Sequence, residues 1–159
     1  MWVPFDLEKY GRRSREGPCF VCAMLDGHPD YSHHDVYEDA DIIAFLARWP
    51  TLFGHCLVAP KRHVECWVHD MDEDDFLGLQ RIAHRVARAL AAAVATERMY
   101  SLSLGSRQGN AHLHWHLAPL PPGVPYDQQQ LRALSAEHGV LGIDDASQAK
   151  LAQTIRSYL

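Results

Sequence analysis

A chain of 159 residues, 47% hydrophobic and 22% charged with a formal charge of −5, is long enough for one core and lies outside the disordered class. The acidic balance excludes a general nucleic-acid-binding surface, so a phosphate-bearing ligand needs a local site. No run reaches the ~20 apolar residues of a membrane span, and the start MWVPFDLEKYGRR has no apolar signal core, so a cytoplasmic protein without membrane or nucleic-acid partners is expected.

Residues 1–34 carry Gly11, Gly17, Pro18, Gly27 and Pro29 with little periodicity, which predicts an irregular arm with a short turn or helix around CFVCAMLDG. Cys19 and Cys22 on this arm form a CxxC pair, which in a reducing compartment reads as a metal or redox motif before a disulfide. Residues 35–119 hold the regular elements. Val36 to Glu38 and Ile42 to Ala47, parted by Asp39, Ala40 and Asp41, predict a hairpin. GHCLVAP alternates His55, Leu57 and Ala59 with Cys56 and Val58, as a strand that Pro60 ends. From about Asp72 to Ala95, Phe76, Leu79, Ile82, Ala83, Val86, Leu90 and Val94 recur at helical spacing behind an acidic start, which predicts one long helix. Met99 to Leu104 and Ala111 to Ala118 predict two more strands, joined by the polar loop GSRQGN and able to pair antiparallel. The prolines of PLPPGVP lack ladder donors and should end the last strand. Within residues 120–159, weaker helical patterns cover about Gln128 to Ser135 and Ser147 to Tyr158. The expected fold class is α+β, one domain over 1–159 built on an about five-stranded antiparallel sheet with one long helix and shorter helices.

The densest chemistry is HLHWH, residues 112–116, with an imidazole at every second position. On a strand, His112, His114 and His116 share one face, with His114 and His116 ~6.6 Å apart, while Leu113, Trp115 and Leu117 face the core. Three aligned histidines are costly to leave without partners. Two chemistries suit them. Imidazole ligates zinc, which also takes thiolates, so Cys19, Cys22 and two histidines would complete a tetrahedral site. An imidazole also attacks phosphorus while a neighbour binds the phosphoryl oxygens.

HLHWHLA resembles the histidine-triad (HIT) signature of three histidines alternating with apolar residues. Other segments resemble the same family in order: CFVCAMLDG its zinc-binding arm in bacterial members, VYEDADIIAFLARWPTLFGHCLVAPKRHVE its hairpin and next strand, and SLGSRQGNAHLHWHLAP its active-site strands. The resemblance spans about Cys19 to Pro119. It implies a nucleotidyl hydrolase or transferase that works through a covalent nucleotidyl-histidine, cleaving a phosphoanhydride or phosphoramidate at the α-phosphorus of a nucleotide such as a dinucleoside polyphosphate. His114 would be the nucleophile, His116 and His55 would hold phosphate oxygens, and Gln108, assisted by Asn110, would contact phosphate. It further implies one structural zinc per chain on Cys19, Cys22, His63 and His112, no organic cofactor, and a homodimer.

Two positions depart from the family. Ala47, with Arg48 beside it, stands where many members grip the ribose with Asp or Asn, and Gly109 stands where several place Ser or Thr near the leaving group. Trp49 reads as a packing residue, with a base-stacking platform as the functional alternative. Cys56 reads as core, and Cys66 as an alternative zinc ligand. His28, His33, His34, His69, His84 and His138 read as surface residues, and Arg81, Arg85 and Arg88 as a solvated helix face. A thiol redox pair and a zinc finger fit poorly, because no βαβ unit surrounds the CxxC and His63 lies forty-one residues after Cys22. Beside hydrolysis stand two rivals, a nucleotidyltransferase or phosphorylase and a non-catalytic nucleotide-binding scaffold.

Overall fold

The computed structural model describes residues 1–106 and 110–159. Gln108 and Gly109 therefore lie outside the described residues. In chain order the elements are β1 (Trp2–Val3), α1 (Leu7–Glu16), α2 (Phe20–Leu25), β2 (Asp35–Glu38), β3 (Ile42–Leu46), β4 (Cys56–Pro60), α3 (Trp67–Asp70), α4 (Glu73–Ala93), β5 (Arg98–Leu102), β6 (Trp115–Leu120), α5 (Leu131–Leu134), β7 (Val140–Leu141) and α6 (Asp145–Arg156). Five strands form one antiparallel sheet in the order β2-β3-β4-β6-β5, as the alternating patterns predict, and β1 pairs with β7 in a separate two-stranded ribbon.

Local chemistry accounts for the main elements. Asp39 turns the β2–β3 hairpin by accepting from the N–H groups of Asp41 and Ile42 at 2.9 and 2.8 Å, an Asx turn. Asp72 caps α4 by accepting from Asp75 N at 2.8 Å, and three carboxylates follow in the first turn, where the helix dipole favours them. The buried stripe of α4 is Leu79, Ile82, Ala83, Val86, Ala89 and Leu90. It packs with Leu151, Ala152 and Ile155 of α6 on Ala44, Cys56, Val58 and Leu117 of the sheet. The opposite face, Ile43, Phe45, Leu57 and Ala59, lies under Val21 of α2. Cover on both faces explains why every residue of β3 and β4 is buried.

Three sequence expectations are corrected. The arm over residues 1–34 is not irregular, because Asp6 caps the ten-residue α1 by accepting from Lys9 N. This helix buries no residue, so it carries no core stripe for periodicity to detect. The last strand begins at Trp115 and not at Ala111. β4 pairs with it only as far as Val58, opposite Trp115, and Leu113 N–H bonds Val64 O at 2.6 Å instead. The strand also continues through Pro119 to Leu120. β4 flanks it only at Trp115 to Leu117, so Pro119, opposite Met99 of β5, needs no donor toward β4.

Candidate active site and metal centre

Pro60 divides the histidine run between two sites. At the strand end, His112 is 1% exposed, and its Nε2–H donates to the carbonyl of Pro60 at 2.8 Å. A carbonyl only accepts, so the lone pair of the neutral ring sits on Nδ1. That atom lies 3.3 Å from Cys19 Sγ and 3.7 Å from Cys22 Sγ. His63 repeats the arrangement, with Nε2 on Glu65 Oε1 at 3.1 Å and Nδ1 3.4 Å from Cys22 Sγ. All four potential ligand atoms fall within 4.8 Å of one another. A tetrahedral zinc with ordinary Zn–S and Zn–N bonds would set its S···N edges at about 3.5 Å, so the donor set and spacing fit that ion. The Pro60 and Glu65 acceptors are the partners that orient ligating imidazoles in metal sites.

Burial and the neighbouring Cys19 push the Cys22 thiol up to about 11. Cys66 lies outside this cluster. Its N–H instead bonds Asp70 Oδ2. Cys56, buried as expected, is pushed up to about 12 by desolvation.

Two residues along, His114 presents the opposite ring nitrogen. Its Nδ1–H donates to the carbonyl of His112 at 2.6 Å, which fixes the tautomer and leaves an unprotonated Nε2. Phe20 of α2 meets the ring edge-on at 5.2 Å. Ser103 Oγ donates to the His114 carbonyl at 2.7 Å and so ties the backbone there to the chain just beyond β5. Burial holds the His114 imidazole below its ordinary range, which keeps it neutral and nucleophilic near pH 7.

His116 stands on β6 opposite Leu57 of β4, and its ring lies 4.9 Å from that of His114. His55, just before β4, places Nε2 3.0 Å from His116 Nδ1. One nitrogen must donate and the other accept, so this contact needs at most one of the two rings charged. Burial, with the His114 ring as a second cause, lowers His55 to about 4. Burial, His114 and His55 together lower His116 to about 3. The three rings open into a cleft of about 250 Å³.

The far side of this cleft was not expected. Leu7, Tyr10 and Ser14 of α1 line it, and Tyr10 also accepts a 2.7 Å bond from Asn110 Nδ2. Tyr10, Phe5 and Trp49 form a cluster of rings with centroids 5.4 to 5.8 Å apart. Trp49 therefore packs and faces the cleft at once. His33, read as a surface residue, is another cleft residue, with Nδ1–H on Tyr31 O at 2.6 Å. The spacing 7, 10, 14 was the available helical signal for α1. Gly17 makes the arm's close return possible, since a Cβ there would meet Arg13 O at 2.5 Å and Tyr31 Oη at 2.6 Å. Arg81, Arg85 and Arg88 lie on α4, and none of the three lines the cleft.

A family model for the HIT domain matches residues 29–122. The chain belongs to the HIT family. Among its relatives, an uncharacterised HIT-like protein of Mycobacterium tuberculosis is 31% identical over 106 residues, covering 66% of this chain and 72% of that protein. The adenosine 5′-monophosphoramidase of Schizosaccharomyces pombe is 26% identical over 132 residues, covering 75% and 94%. In structure, this HIT protein is similar to a hypothetical histidine triad nucleotide-binding protein of Sulfolobus tokodaii, with a TM-score of 0.70, 25% identity and coverage of 88% and 91%. It shares its fold with a zinc-bound histidine triad protein of Mycobacterium smegmatis, at a TM-score of 0.67, 23% identity and coverage of 88% and 91%.

Proposed function

We propose that this HIT protein is a nucleotide hydrolase in which His114 Nε2 attacks the α-phosphorus of a nucleotide bearing a phosphoramidate or phosphoanhydride bond. The observation that carries the reading is the Nδ1–H bond from His114 to the His112 carbonyl, which leaves the nucleophilic nitrogen of a buried, neutral ring unprotonated. In the first step an N–P bond forms and the bond to the leaving group breaks. Water then attacks the nucleotidyl-histidine, releasing the nucleoside monophosphate and restoring the ring. His55 and His116 hold the phosphoryl oxygens, and Asn110, with Gln108, contacts phosphate. Stabilisation of the transferring group rests on these donors. The phosphoramidase relative favours a nucleoside 5′-phosphoramidate as the first substrate, with a dinucleoside polyphosphate as the second.

Cys19, Cys22, His63 and His112 would hold a structural zinc, one per chain, consistent with the zinc-bound structural neighbour. With four protein ligands the metal leaves no position for a reacting water. Its contribution is to fasten α2 to the chain that enters β6. The chain acts as one domain over 1–159 and as a homodimer, which sedimentation equilibrium measures directly.

The test is turnover of adenosine 5′-phosphoramidate and of diadenosine tetraphosphate, each with and without inorganic phosphate. AMP release by the wild type and its loss in His114→Ala are expected. Release of ADP from the tetraphosphate only when phosphate is present would make the protein a phosphorylase, and absence of turnover across the panel would make it a binding protein.

A further inference from the structure

The cleft holds two cations that the hydrolytic step leaves unused. Arg13 of α1 and Arg48, just after β3, both line it. Each donates to the same acceptor, the carbonyl of Asp30, Arg13 through Nη2 at 2.6 Å and Arg48 through Nη1. Among the described residues, neither guanidinium makes an ion pair, and no Asp or Glu lines the cleft. Two like charges drawn onto one neutral oxygen repel each other, and an anion held by both would offset that repulsion. A single carbonyl uses one N–H of each five-donor fork, so both retain donors.

The surroundings indicate where this anion sits relative to the reacting phosphorus. Arg48 and Arg13 lie 5.1 and 5.8 Å from the ring of Trp49, the exposed edge of the Phe5, Tyr10 and Trp49 cluster. His33 marks the same end. Both guanidiniums help to hold its imidazole low, after burial, and its ring meets Phe45 at 4.9 Å. Phe45 meets Phe20 at 6.3 Å, and Phe20 meets His114 at 5.2 Å. The rings of Phe45 and Phe20 thus connect this end to the nucleophile. The arginines stand beside the flat apolar surface that suits a base. Neutral ribose hydroxyls would leave both charges uncompensated, whereas a phosphate matches the guanidinium fork in charge and geometry.

Resting on the nucleotide reading above, we propose that Arg13 and Arg48 form a second anion site, and that it takes a phosphate carried on the ribose. The preferred substrate is then a 2′- or 3′-phosphorylated nucleotide activated at its 5′-phosphorus. Ala47, which also lines the cleft, presents only a methyl group, with no polar atom to contest that group.

Calorimetry on the full chain with AMP, adenosine 2′,5′-bisphosphate, adenosine 3′,5′-bisphosphate and ADP tests this. One bisphosphate should bind at least about tenfold tighter than AMP, and Arg48→Met should cut that advantage to about threefold or less. Arg13→Lys, which keeps the charge and loses the fork, should reduce it partially, with a melting curve confirming that α1 stays seated. Equal affinity for AMP and both bisphosphates, or an undiminished advantage in Arg48→Met, would overturn the site. A larger gain for ADP than for either bisphosphate would place the second phosphate on the chain and overturn the ribose assignment. Binding needs no turnover. A protein that prefers a bisphosphate yet hydrolyses nothing loses the hydrolase reading and keeps this one, while hydrolysis with equal affinities does the reverse.

Discussion

His112 and His114 show how one hydrogen bond decides which nitrogen an imidazole presents. In His112 the Nε2–H goes to Pro60 and Nδ1 faces thiols, whereas in His114 the Nδ1–H goes to the preceding histidine's carbonyl and Nε2 is left for the cleft. Replacing His114 by Ala should therefore lower kcat by roughly 10³-fold or more, with an unchanged circular-dichroism spectrum showing that the fold survives. His55 and His116 govern the response to acid. Their folded pKa values, about 4 and about 3, lie below the ordinary value near 6.5, so the unfolded chain binds more protons between those limits. Stability contributed by burying them neutral is fully present above about pH 6.5 and is lost as pH falls toward 4. The melting temperature should drop steadily from pH 7 to pH 5, and His116→Asn should flatten that slope. The alternation of imidazole and apolar residues was legible in HLHWH, and Leu113, Trp115 and Leu117 do reach the core. Which nitrogen each ring exposes was not, because that depends on carbonyls brought in by Pro60 and by the local backbone.

At the scale of elements, α4 and α1 are opposites. α4 announces itself through a buried stripe, an Asp72 cap and an acidic first turn, all readable from spacing and residue type. Asp72→Ala should destabilise by about 1 kcal/mol, a fall of roughly 2 to 4 °C in melting temperature for a chain of this size, measurable by calorimetry. α1 has an exposed, charged surface and Gly11 in its middle, so only the 7, 10, 14 spacing hints at a packed face. What holds it is the ring cluster at Trp49, the Asn110 bond and Arg13 over Tyr31 at 3.9 Å, contacts made across long sequence separations. The consequence is functional. The element least visible in the sequence supplies one wall of the cleft, so Tyr10→Ala should raise KM for the nucleotide severalfold while changing kcat less, as steady-state kinetics would show.

Across the whole molecule, the Cys–His cluster and the cleft share one backbone segment, with His112 in the first and His114 in the second. Ligands from α2, from the chain after β4 and from the entry to β6 converge from positions 19 to 112, so a bound ion closes a long loop as well as four contacts. Cys22→Ser should abolish stoichiometric zinc, read by atomic absorption, and lower the melting temperature by on the order of 10 °C. Residue chemistry made CxxC with two histidines legible as a zinc donor set, and the resemblance to the HIT family singled out His63 and His112 for it. The arginine end of the cleft was not, since Arg13 and Arg48 meet only through the carbonyl of Asp30. Among the described residues no helix is long and apolar enough to cross a membrane, and the histidine cleft lies at the sheet's α2 face. The decisive measurement is rapid-quench peptide mapping during turnover of adenosine 5′-phosphoramidate. An AMP adduct on the peptide carrying His114, formed and lost at rates matching turnover, is the expected result. An adduct on another residue, or hydrolysis without any adduct and with inversion at phosphorus, would contradict attack by His114.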